Sequence, residues 1–136
     1  MLWRGVMVVL GGLALGGGAA EAACRQGDLT GTHTLYAFGI GTTTYGWDRC
    51  RLDIAAGGAV QPGTRCLDDE GDRFTVRGGS IRVNQSCVVS GRFRVALGAE
   101  SVVVRIEHAT MLRSKDAFAG VGRADDFIFQ LTAVKN

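Results

Sequence analysis

Four cysteines, two histidines, a few aromatic side chains and one dense acidic turn are the residues of this chain best suited to chemistry. Cys24, Cys50, Cys66 and Cys87 contain no C-x-x-C pair, so their spacing does not suit a zinc site. An even cysteine count in an exported chain predicts two disulfides instead, and leaves no free thiol for nucleophilic catalysis. His108 and His33 lack a third ligand beside them, so no metal is expected. "LDDEGDRF", Leu67 to Phe74, gathers Asp68, Asp69, Glu70 and Asp72 around Gly71. Hard cations favour such oxygen donors. The spacing is not that of an EF-hand loop, and a solvated turn is the expectation. "TTTYGWDRC" places Tyr45 and Trp47 shortly before Cys50, where an aromatic pair can stack on a flat or sugar-like ligand. No Ser-His-Asp order, paired-acid constellation or phosphate loop emerges. The chain is read as a non-enzyme with no cofactor.

These residues need elements to position them. No stretch sustains a 3.6-residue period, whereas period-two alternation is common and turn signals recur every eight to twelve residues or so, the pattern of an all-β sandwich or barrel. In "FTVRGGSIRV" a two-residue turn at Gly78-Gly79 would put Phe74, Val76, Ile81 and Val83 on one face. A turn at Gly98-Ala99 pairs Val95 with Val102, Phe93 with Val104 and Gly91 with Ile106, again on one face. A slip of one residue would scatter both sets, so the agreement supports the register. "NQS", Asn84 to Ser86, pairs Val83 with Cys87. The strands expected are 29–38, 45–56, 60–67, 73–77, 80–84, 87–97, 101–112, 116–122 and 126–134. They form a single antiparallel meander of eight or nine strands closing into a small barrel.

That register assigns the side chains. In "RCRLDIAAGGAVQPGTRC", Arg49 to Cys66, a turn at Gly57-Gly58-Ala59 sets Cys50 opposite Cys66, with Pro62-Gly63 as a possible bulge. Cys24 then pairs with Cys87. Cys66–Cys87 with Cys24–Cys50 is the alternative. The meander places Cys50, Cys66 and Cys87 near one end, and Cys24 near the other. His108 falls opposite Val89 on the inward face, and with Trp47 and Tyr36 it makes the expected ligand-binding set at a barrel mouth. Arg92 and Arg105 face each other on the outside beside Arg77, Arg82 and Arg94, with Glu107 diagonal to Arg92. A solvated face is expected there, or a surface for an anionic partner.

The first 22 residues set the compartment. Arg4 precedes an apolar run from Val6 to Leu15, and Ala20-Glu21-Ala22 fits a small-x-small cleavage site, so 1–22 reads as a signal peptide cut after Ala22 or Ala23. The run is too short for a permanent membrane anchor. Residues 23–136 are then one domain, secreted or periplasmic. The net charge of +2 is too small to argue for nucleic acid.

At "DLTGTHTLYAF", Asp28 to Phe38, the chain resembles the opening strand of calycins, the lipocalin and avidin group of barrels, with His33 where those families place a Trp. The resemblance implies a small secreted barrel that binds a small ligand in its mouth. The expected function is therefore a binding module for a small ligand. The alternatives are an inhibitor of a secreted hydrolase, such as a protease or lysozyme, and a structural envelope protein with a packed barrel.

Overall fold

A computed structural model describes residues 23–41 and 45–136. The proposed signal peptide, 1–22, lies outside the described residues, as do Thr42 to Thr44. The described chain is all-β: β1 (Gly31–Ile40), β2 (Tyr45–Ile54), β3 (Ala59–Val60), β4 (Arg65–Asp68), β5 (Arg73–Val83), β6 (Val88–Leu97), β7 (Glu100–Met111), β8 (Ala117–Ala124) and β9 (Phe127–Lys135). A single 3-10 turn, Gln26–Leu29, precedes β1. Every pairing is antiparallel, and β1 pairs with both β2 and β9, so the sheet closes into a barrel. The short β3 and β4 both bridge β2 to β5, acting as one interrupted stave. No described helix is long and apolar enough to cross a membrane.

The alternating burial along β1 and β2 sets His33, Leu35, Cys50 and Leu52 inside, with Tyr36 and Phe38 outside. Burying one face of each strand drives closure, because each inward aliphatic side chain contributes about 1.5–3 kcal/mol. Phe93 and Phe118 fill the interior beside Ile81, Val89 and Leu131.

One expected hairpin does not exist. The segments predicted as 73–77 and 80–84 are the single strand β5. Gly78 and Gly79, with φ of 112° and 151°, lie inside the strand rather than in a turn, and a bulge at Arg77-Gly78 shifts the pairing with β6 between Val76 and Gly78. A Cβ on Gly79 would stand 2.5 Å from Phe93 Cα, so the glycine lets β5 and β6 approach closely while the strand coils around the barrel. Removing one reversal exchanges the ends of everything downstream. Cys87 therefore lies at the far end from the β1–β2 hairpin tip, beside Cys24, and no crossover is needed to join them.

Both disulfides take the first of the two predicted connectivities: Cys24–Cys87 and Cys50–Cys66. Cys50 and Cys66 are direct cross-strand partners. Ile54 pairs with Val60, two residues out of the register that joins Cys50 to Cys66, and the break at Pro62-Gly63 absorbs the difference. The Gly98-Ala99 turn and the pairs Val95 with Val102, Phe93 with Val104, and Gly91 with Ile106 form as expected. The 84–87 turn differs: Val83 pairs with Val89, and Asn84 Oδ1 accepts from the Val88 amide at 3.0 Å. Two disulfides of this kind fit an extracellular or otherwise oxidising compartment.

The end holding Cys24 is plugged. Leu29 is completely buried there. Gln26 locks the plug to β5, its Nε2 donating to the Ile81 carbonyl at 3.0 Å and its Oε1 accepting from the Val83 amide at 3.1 Å. Lys135 Nζ donates to the Asp28 carbonyl at 2.7 Å.

Candidate functional site

The opposite end is open. A cavity of about 640 Å³ enters the barrel between the β1–β2 hairpin, the 68–72 loop, the Gly98-Ala99 turn and the β8–β9 hairpin. Its floor is apolar and built from inward positions of six different strands: Leu35 and Ala37 on β1, Phe93 and Val95 on β6, Val104 on β7, Phe129 on β9, and the Cys50–Cys66 bridge across β2 and β4. The disulfide ties together the walls where the stave is interrupted, so the cavity has a covalently fixed side.

The rim is acidic. Asp48 and Asp68 are direct cross-strand partners, and both line the mouth two residues beyond the disulfide. Facing like charges weaken a sheet pair by a few tenths of a kcal/mol to about 1 kcal/mol. Asp48 responds: partial desolvation against the barrel wall, then the charges of Asp68 and Asp69, push its carboxyl up to about 6. Asp68 also shapes the loop behind it. Its Oδ1 accepts from the amides of Glu70 at 3.0 Å and Asp72 at 2.8 Å. Glu100, Asp125 and Asp126 line the other side. Among the described residues no Lys, Arg or His lines the cavity.

The three residues expected to bind ligand are not brought together. Trp47 does line the rim; it is 46% exposed, and its strand partner is Phe38 on the outer face. Tyr36 does not line the cavity. It stands on the outer face opposite Arg49 and Thr132 because the His33-Leu35 set takes the interior. His108, expected inside opposite Val89, is exposed and lies toward the plugged end. A bulge in β7 explains it. Between Gly91–Ile106 and Val89–Ala109 the strand carries an extra residue, so Glu107 and His108 both face out and Ala109 takes the inward place. His33 is the buried histidine. It is 1% exposed, its ring centroid lies 5.9 Å from that of Phe118, and its Nδ1 donates to the Gly31 carbonyl at 3.3 Å. Burial holds its pKa below the ordinary value despite that bond, which favours the neutral ring.

Arg92 and Arg105 do face each other, as expected, and Arg123 extends the row across β8. Glu107 meets Arg123 at 3.9 Å rather than Arg92.

Sequence reasoning missed the acidic rim because its members come from four separate segments. The signal was present: acids occupy or flank successive turns at one end. A reversal read at Gly78-Gly79 would send the Gly98-Ala99 turn to the other end, away from the remaining acids. No family model matches the chain, and neither a curated protein nor a solved structure matches it.

Proposed function

We propose that the protein is an exported, secreted or periplasmic binding module that holds a small ligand in the open mouth of its barrel. The observation that carries this reading is the cavity. Its volume of about 640 Å³ falls within the roughly 300–1,000 Å³ of small-molecule sites. A mostly apolar floor with a few polar groups at the entrance is the usual composition of such sites. The calycin resemblance of the first strand agrees with ligand binding at a barrel mouth, and Trp47 at the rim supplies an aromatic surface. A structural envelope protein with a packed barrel would have little use for this space.

A second reading, an inhibitor of a secreted hydrolase, is favoured by the 68–72 loop. It is held by both Asp68 hydrogen bonds and begins two residues after the Cys50–Cys66 bridge.

The test uses a neutral environment-sensitive fluorophore such as N-phenylnaphthylamine. Saturable one-to-one binding is expected, together with its loss in Val104→Trp, which fills the floor. Circular dichroism establishes that the variant remains folded. Failure of the folded wild-type protein to bind any neutral, cationic or anionic probe overturns the small-ligand reading.

A further inference from the structure

Resting on the reading of the mouth as a small-ligand site, we propose that it selects a positively charged amphiphile: an amine or quaternary ammonium group carried on an apolar aliphatic or aromatic body. The charge distribution leads there. The chain carries a net charge of +2, yet its mouth is lined by Asp48, Asp68, Asp69, Glu70, Glu100 and Asp125. With Asp126 these are seven of the chain's thirteen carboxylate residues, while among the described residues no Lys or Arg lines the mouth. A ring of one sign around a low-dielectric pit focuses potential on the entrance and concentrates ligands of opposite charge.

The walls suit the rest of such a ligand. Phe74, Phe93, Phe127 and Phe129 line the cavity, and Tyr45 and Trp47 reach its edge. Aromatic surface beside carboxylates is the combination that recognises ammonium groups, through cation–π attraction and charge together. The Asp48–Asp68 pair supplies the driving force. Two opposed carboxylates repel in the empty site, and a cation seated between them relieves that repulsion. An anionic ligand such as a fatty carboxylate would have to pass the same rim against repulsion.

The proposal carries a pH dependence. Asp48 is faced by Asp68 on β4 and Asp69 on the following loop, while its β1 partner, Ala37, is uncharged. Glu70, Glu100, Asp125 and Asp126 also line the rim, and among the described residues no basic group does. Protonation of Asp48 therefore removes charge from the site without a compensating loss of a cation.

The experiment compares three probes of matched chain length below their micellar concentrations: decyltrimethylammonium, decanol and decanoate. Calorimetry is run on the folded, disulfide-intact protein. The ammonium is expected to bind at least about tenfold more tightly than the alcohol, and the carboxylate least. The ammonium-to-alcohol affinity ratio should fall toward one in Asp48→Asn/Asp68→Asn, and should fall in the wild type as pH drops from about 8 to about 5. Equal binding of all three probes overturns the charge selection and leaves the small-ligand reading standing. Preference for decanoate also overturns it, and absence of all binding removes both. Salt-sensitive self-association in sedimentation, abolished by Arg92→Ser/Arg105→Ser, identifies a second copy's arginine row as the occupant and likewise overturns the proposal.

Discussion

At the residue scale, a buried histidine and an exposed aspartate at the mouth oppose each other in their effect on stability. His33 has a folded pKa below its unfolded value of about 6.5. Its contribution is fully present above about pH 6.5 and is lost as pH falls further, because the unfolded chain takes up a proton that the folded chain resists. Asp48 has the reverse sign. Its folded value of about 6 exceeds the ordinary 3.8, so its contribution is fully present below 3.8 and is lost as pH rises through about 6. The wild-type pH profile is thus expected to be shallow between about 4 and 6.5. In Asp48→Asn the loss on the alkaline side disappears, and stability should fall visibly as pH drops below about 6.5. Urea denaturation across that range measures it. An Asp48→Asn profile indistinguishable from wild type contradicts the assignment.

Elements are where short-range reading of this chain succeeded and failed. The β6–β7 hairpin was legible because Gly98 suits a two-residue turn and alternating apolar residues on both sides agree on one register. The Gly78-Gly79 pair offered the same local signals with a different outcome. Val76 and Ile81 are both buried, but on one continuous bent strand rather than on two facing strands. A bulge and a hairpin turn use the same permissive residues, and the length of strand needed to span the barrel decides between them. Gly79→Ala should therefore cost about 2–4 kcal/mol, from a Cβ forced against Phe93 and a backbone angle that alanine avoids. Gly57→Ala, in open space within the neighbouring turn, should shift stability by less than about 0.5 kcal/mol. Thermal unfolding of the two variants makes the comparison, and equal effects would show that Gly79 is not a packing contact.

For the whole molecule, the two disulfides hold different parts of the architecture. Cys24–Cys87 fastens the plug across a separation of 63 residues, whereas Cys50–Cys66 fastens the wall of the open mouth across 16. Chain entropy assigns about 4 kcal/mol to the longer loop and about 3 kcal/mol to the shorter. Replacing both cysteines of a pair by Ala should destabilise in that order. Only loss of the Cys50–Cys66 bridge should also disturb probe binding at the mouth. Equal loss of binding in both double variants, measured while each remains folded, would contradict this division between plug and mouth.

The sequence by itself determined the all-β class, the closed meander, one disulfide register and the inward faces of most strands. Those follow from residues within one hairpin of each other, where period-two burial and turn chemistry act locally. It also offered Cys24–Cys87 as the remaining pair. The tertiary structure alone decided which end each turn occupies, because end assignment depends on counting every reversal, and one misread glycine pair inverts all that follow. It likewise decided the direction of His108. A single extra residue in β7 turns that side chain outward and seats Ala109 in its place, and nothing in "RIEHA" marks the bulge. The acidic mouth emerged last for the same reason: Asp48, the 68–72 loop, Glu100 and the Asp125-Asp126 turn become neighbours only once the barrel closes and brings alternate turns to a common rim.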